Sequence, residues 1–181
     1  VVQDTQNLDP ETSYSLHVKT LLNRIQHFAG FVYREVRLRD PGCSLHLDIH
    51  LEAHAAMDGQ CAQCQRAAPG YDRLPERSWL FPPLWNIPTH FHYAPRRVEC
   101  PEHGIGVEHI PWSAGKRPVT LTRMVFLAQW SRRLSWRETA RAFQTSWEAV
   151  YRSVDWFVQW CLAHRQLEGV EALGVDEIHW G

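Results

Sequence analysis

The chain of 181 residues is 44% hydrophobic and 22% charged, a mixture that can bury a core and that excludes a disordered chain. No apolar run reaches the ~18 residues a membrane helix needs, so no membrane partner is expected, and the N-terminus lacks the basic-then-apolar pattern of a secretory signal. The 19 Lys+Arg against 20 Asp+Glu give a net charge of −1, which would speak against a nucleic-acid partner if charge were spread evenly.

It is not spread evenly. Residues 1–114 carry net −3, residues 115–165 carry nine basic against three acidic side chains, net +6, and residues 166–181 carry net −4. The basic block is nearly all arginine (Lys116, Arg117, Arg123, Arg132, Arg133, Arg137, Arg141, Arg152 and Arg165). Arginine suits bidentate contacts to phosphates and guanine edges, although an Arg-rich stretch taken alone is more often a solvated helical surface. Five cysteines are an odd number in a chain too large to need a disulfide framework, which points to a reducing, cytoplasmic setting.

In chain order, Ser13 to Phe28 has helical spacing, with Leu16, Leu21, Leu22, Ile25 and Phe28 as its apolar stripe. Phe31 to Arg39 alternates as a strand, Asp40-Pro41-Gly42 supplies a turn, and Leu45 to His54 alternates again, predicting an antiparallel hairpin. The second strand carries His46, His50 and His54. Neighbours among them are about 13 Å apart along the strand, too far to share one ion, so they are expected on the solvated face. Residues 66–95 read as turns and aromatic packing around short strands, and Thr89 to Glu99 as one further strand.

Cys61-Ala62-Gln63-Cys64 and Cys100-Pro101-Glu102-His103 are two-ligand knuckles. Together they supply three thiolates and one imidazole, a closed tetrahedral set suited to structural Zn²⁺. Gly104 lets the second knuckle turn so that backbone amides face the sulfurs. A redox pair is the alternative for Cys61 and Cys64, but neither knuckle sits where a strand enters a helix. Cys43 and Cys161 read as ordinary small side chains.

From Pro118 the period becomes helical. Leu121, Met124, Val125, Leu127 and Ala128 share one face of a helix predicted to end near Leu134. Ser135-Trp136-Arg137-Glu138 is a capping box opening a short helix with Trp136, Ala140 and Phe143 inward; Gln144 breaks it. Thr145-Ser146-Trp147-Glu148 is a second capping box, opening a long helix with Trp147, Val150, Tyr151, Val154, Phe157, Val158 and Cys161 on its apolar side. Short helix, tight turn and long helix predict a helix-turn-helix. If the long helix reads a major groove, Ser146, Glu148, Ala149 and Arg152 face bases, and Arg132, Arg133, Arg137 and Arg141 face phosphate.

The chain then runs through Leu173-Gly174-Val175-Asp176-Glu177-Ile178, a short apolar run meeting a carboxylate pair. This motif follows Pro95-Arg96-Arg97-Val98-Glu99-Cys100-Pro101-Glu102-His103-Gly104-Ile105, Pro111-Trp112, Leu134-Ser135-Trp136 and Thr145-Ser146-Trp147. In that order, from about Leu21 to the end, the chain resembles the N-terminal half of bacterial insertion-sequence transposases with a zinc-binding domain, a helix-turn-helix and an RNase-H-like DDE domain. The resemblance implies double-stranded DNA, at the terminal repeats of an insertion sequence, as partner. It implies Asp176 as the first acidic residue of the catalytic triad, a ligand for Mg²⁺ or Mn²⁺ in the complete enzyme. It leaves room for a homo-oligomer there. The family often has cysteine where this chain has His103; a Cys₃His set still closes a tetrahedron. The second Asp and the Glu are missing, so this stretch is expected to be a catalytically inert fragment.

The expected fold is α+β: an N-terminal lead with a short helix over 1–30, a zinc-ribbon-like β domain over 31–114, a helix-turn-helix over 115–165, and the first strand of an incomplete RNase-H-like domain over 166–181. The expected setting is the bacterial cytoplasm, on DNA. Two rivals remain at the sequence level. One is a stand-alone zinc-dependent helix-turn-helix transcriptional regulator, and the other is a protein-interaction module whose aromatic surface docks a partner.

Overall fold

The computed structural model describes residues 10–40, 42 and 45–165. The protein is mixed α+β and divides into two compact units, Val1–Phe126 and Leu127–Gly181.

In the first unit, helix α1 (Pro10–Ile25) leads into β1 (Phe31–Arg39) and β2 (His46–Ala53), the hairpin that the alternation predicts. Leu47, Ile49 and Leu51 of β2 are buried on one face, as a period of two requires. After the small pair β3 (Gly59–Gln60) and β4 (Ala67–Ala68) come β5 (Gly70–Arg73), β6 (Arg77–Leu84) and β7 (Ile87–Tyr93). The main sheet has the order β1-β2-β7-β6, with β2 and β7 parallel and the other pairs antiparallel. Pro82 and Pro83 fall where the β6–β7 register slips between Phe81 and Leu84, as they must on an edge strand without those N–H donors. Trp85 and Asn86, both at positive φ, close that hairpin.

Thr89 to Glu99 is not one strand. The chain leaves the main sheet at Ala94-Pro95 and enters β8 (Arg96–Cys100), which pairs with β5 and β9 (Gly104–Val107) in a separate three-stranded sheet. Pro95 has no N–H to extend a ladder, which is the local reason for the break.

Trp112 lies in the middle of the core. Its ring meets Phe28, Phe31, Trp79, Phe91 and Tyr93 at centroid distances of 4.9 to 6.4 Å, mostly edge to face. A second, smaller core joins Cys61, Ala68, Val98 and Cys100 under the knuckles.

Helix α2 (Leu121–Trp130) stops one turn before Leu134. Ser131 Oγ donates to Leu127 O at 2.8 Å, and the N–H of Arg132 bonds the carbonyl three residues back, so the helix tightens and ends. In the second unit, α3 (Trp136–Ala142) and α4 (Trp147–Ala163) follow, joined by a turn in which Gln144 takes φ +49°.

Candidate functional site

Both knuckles sit at hairpin ends. Cys61-Ala62-Gln63-Cys64 joins β3 to β4, turning at Gln65 (φ 58°), and Cys100-Pro101-Glu102-His103 joins β8 to β9, turning at Gly104 (φ 68°). The N–H of Cys61 donates to Arg66 O, and that of Gln65 returns to Cys61 O, each at 2.9 Å. Arg66 on one knuckle is ion-paired with Glu102 on the other.

The four ligand atoms all lie within 4.8 Å of one another. Cys64 Sγ is 3.7 Å from Cys100 Sγ, and His103 Nδ1 is 3.5 Å from Cys100 Sγ and 3.7 Å from Cys61 Sγ. Metal–sulfur bonds of ~2.3 Å and metal–nitrogen bonds of ~2.0–2.1 Å make a tetrahedron with edges of about 3.8 Å between sulfurs and about 3.5 Å from sulfur to nitrogen. The donor set therefore fits one ion, such as zinc, with His103 binding through Nδ1.

Backbone N–H groups prepare the sulfurs for it. Those of Cys64 and Gln63 face Cys61, and that of Arg66 faces Cys64, holding both thiols below their ordinary range. The N–H of Glu102 faces Cys100 too, but burial and the two neighbouring sulfurs outweigh it and push that thiol up.

A largely buried ion pair, between Arg96 and Glu108, joins β8 to the segment after β9, and no local pattern announces it. Glu108 accepts from the backbone N–H of Arg96 at 2.8 Å, from its Nε at 2.9 Å and from Tyr93 Oη at 2.5 Å; Arg96 Nη1 donates in turn to Met57 O. Burial raises the Tyr93 hydroxyl far above its usual range, and the Glu108 carboxylate adds to that rise. Gly59 packs so closely here that a Cβ would stand 2.6 Å from Val98 Cγ1 and 3.0 Å from Glu108 Oε2.

The polar face of β2 is less solvated than its alternation suggests. Asp48 is buried, accepting from His92 Nε2 of β7 at 3.0 Å and from Arg39 Nε at 2.7 Å. Burial alone would raise its carboxyl; the His92 and Arg39 hydrogen bonds outweigh it and hold the group below the usual carboxylate range. His50 and His92 stack at 4.8 Å, with Glu76 carboxylate oxygens 3.4 and 3.5 Å from their Nδ1 atoms. His46 and His50 are thus half-buried members of a packed polar layer.

In the second unit the expected DNA-facing side chains lie at the surface. Arg132 and Arg133 sit in the turn after α2 and line, with Gln129, an open cleft of about 380 Å³. Arg137 and Arg141 are one turn apart on α3; Ser146 caps α4, and Glu148, Ala149 and Arg152 occupy its first two turns. All are exposed except Ala149, which is half-buried, and none of the five arginines is in an ion pair among the described residues. Arg123 is different: it is buried and donates to Phe81 O at 3.0 Å, so the basic block is not wholly a surface feature.

The first capping box forms as expected. Ser135 Oγ accepts from Glu138 N at 3.3 Å, and Glu138 Oε2 accepts from Ser135 N at 2.9 Å. The second does not: Ser146, not Thr145, is the cap, its Oγ accepting from Ala149 N at 3.1 Å, which leaves Glu148 one position short of reciprocating. Trp136, Trp147 and Tyr151, expected to turn inward, are 39%, 52% and 46% exposed. Asp176 lies outside the described residues.

No protein-family model, curated protein or solved structure matches the chain. Among the described residues no helix is long and apolar enough to cross a membrane.

Proposed function

We propose that the chain is the DNA-binding portion of a DDE-type transposase, acting in the bacterial cytoplasm on the terminal repeats of an insertion sequence. Zinc closes the Cys61, Cys64, Cys100 and His103 cluster and holds a ribbon-like module; α3, the Gln144 turn and α4 form a helix-turn-helix. The observation that carries DNA binding is the set of five exposed guanidinium groups, at Arg132, Arg133, Arg137, Arg141 and Arg152, in no ion pair among the described residues and spaced around two capped helix starts. Guanidinium forks match phosphate oxygens, and in this reading Ser146, Glu148 and Arg152 at the exposed start of α4, with half-buried Ala149 between them, are the residues that meet base edges. The transposase reading rests on the order of the sequence motifs. Asp176 would hold Mg²⁺ or Mn²⁺ in the complete enzyme, where two metals activate the attacking oxygen; one carboxylate does not make that site, and no catalytic step falls to the described residues.

The test is duplex binding across a salt series. Affinity should fall steeply as salt rises, with a slope of roughly −0.9 per phosphate contacted. The triple change Arg137→Ala, Arg141→Ala, Arg152→Ala should abolish binding while the metal stays bound. No binding at low salt, or retention independent of salt, overturns the reading; so does a triple variant that binds duplex normally.

A further inference from the structure

Three of the exposed aromatic side chains of the second unit gather at the starts of α3 and α4, beside Arg137. Trp136 is the first residue of α3, Trp147 the first residue of α4, and Tyr151 lies one turn further on α4. The Trp136 and Tyr151 rings touch, with centroids 5.3 Å apart at 55°. Trp136 and Trp147 both line an open cleft of about 360 Å³, which they share with Ser135 and Arg137. That is a small-ligand volume. Among the described residues no aliphatic side chain lines it.

Each indole is carried by a residue whose backbone is fixed by the serine cap just before it, so the rings are presented on rigid helix starts rather than on a loop. Glu138, the carboxylate next in sequence to Arg137, is held on Ser135 N and Oγ, so among the described residues Arg137 is the charged side chain that lines the cleft, and the Glu138 carboxylate is fixed behind the lining Ser135. Leu127 to Arg165 carries six basic against three acidic side chains. Flat π-faces with a single cation suit a flat heterocycle bearing a phosphate better than they suit an apolar protein segment, which would call for aliphatic walls.

We propose that this cleft takes an unstacked nucleobase from an unpaired stretch of DNA, stacked on Trp136 and Trp147 with the adjoining phosphate on Arg137. The proposal rests on the DNA-binding reading above and deepens it, by naming partly unpaired DNA as the preferred ligand. Stacking tolerates any base, so the preference is for unpaired structure and not for sequence. Tyr151 acts as a positioning residue that braces the Trp136 ring.

The experiment compares the full chain on two DNAs of the same sequence, one fully paired and one with a three-nucleotide unpaired bulge. The wild type should bind the bulged DNA about tenfold more tightly, with quenching of tryptophan fluorescence. In Trp136→Ala and in Trp147→Ala the ratio between the two DNAs should fall to about one, and Trp147→Phe should keep most of it; circular dichroism checks that each variant is folded. Equal binding of both DNAs by the wild type overturns the proposal while leaving the DNA-binding reading intact, and so does an alanine variant that keeps the ratio. Alanine variants that retain the preference yet lose capture of a protein partner assign the cleft to a protein interface instead. Absence of binding to either DNA at low salt removes the DNA-binding reading, and this proposal with it.

Discussion

The two units solve the problem of burying aromatic side chains in opposite ways. In the first, seven aromatic residues are packed into one core around Trp112, and a separate cluster of cysteines sits under the knuckles. In the second, Val150, Ala140, Leu127 and Ala128 are the buried apolar residues among those described, while Trp130, Trp136, Trp147, Tyr151 and Trp160 remain two-fifths to one-half exposed. The difference follows from geometry. Four strands present a broad face that helix α1 and Trp112 can close, whereas the two turns of α3 are too short to cover the seventeen residues of α4. The β unit therefore carries its stability in long-range packing, and the helical unit in local caps plus a small shared core.

Removing the metal should break this contrast most severely. Structural zinc contributes roughly 10 kcal/mol or more of folding free energy in small modules. Cys61→Ser, or chelation, should abolish stoichiometric metal by mass spectrometry and melt the β8–β9 hairpin and its neighbours in amide-exchange or NMR spectra. The aromatic core of the main sheet, which shares no residue with the cysteine cluster, should persist. A metal-free protein with an unchanged β8–β9 spectrum would sink the structural role.

Glu108→Gln should come next. It removes the charge that Arg96 faces and weakens the acceptor of Tyr93, leaving a largely buried guanidinium short of its counter-ion. Breaking such a pair from one side costs about 3–5 kcal/mol. Denaturant unfolding should show that loss in the β unit, with no change in the helical one. A loss under 1 kcal/mol would mean that water, not Glu108, satisfies Arg96.

The same contrast explains what could be read from the sequence. The knuckles were legible because each ligand pair lies within four residues and the chemistry of the side chains limits what they do. The hairpin from Phe31 to Ala53 was legible because alternation reports one strand at a time. The parallel pairing of β2 with β7, some forty residues apart, was not: nothing local in His46 to Ala53 announces which strand will lie beside it. The burial of Asp48 follows from that pairing, since His92 arrives on β7; His46 and His50 are half-buried with it, while His54, beyond the pairing, is exposed as its alternation predicts. On α4, periodicity placed Trp147 and Tyr151 with Val150 on one apolar side, but periodicity cannot say how much of that side a seven-residue partner will cover. The Arg96–Glu108 pair had no signal, because one arginine and one glutamate twelve residues apart are common in any sequence.

The smallest effect discriminates most finely, because it separates the two caps of the helical unit. Ser135→Ala removes a reciprocal arrangement in which Ser135 Oγ accepts from Glu138 N and also donates to the Glu138 carboxylate. Ser146→Ala removes one hydrogen bond, from Ala149 N. A lost cap costs about 0.5–2 kcal/mol, and a two-turn helix has little propagation free energy to absorb it. Ser135→Ala should therefore lower helicity and midpoint temperature more than Ser146→Ala, and Ser135→Thr, which keeps the hydroxyl, should restore most of the difference. Equal losses from the two alanine changes would show that tertiary packing on Ala140 and Thr139, not the capping box, holds α3 in place. In that event the orientation of Trp136 and Arg137 would depend on the shared core, and core substitutions such as Val150→Ala would disturb the cleft as much as any change at the cap.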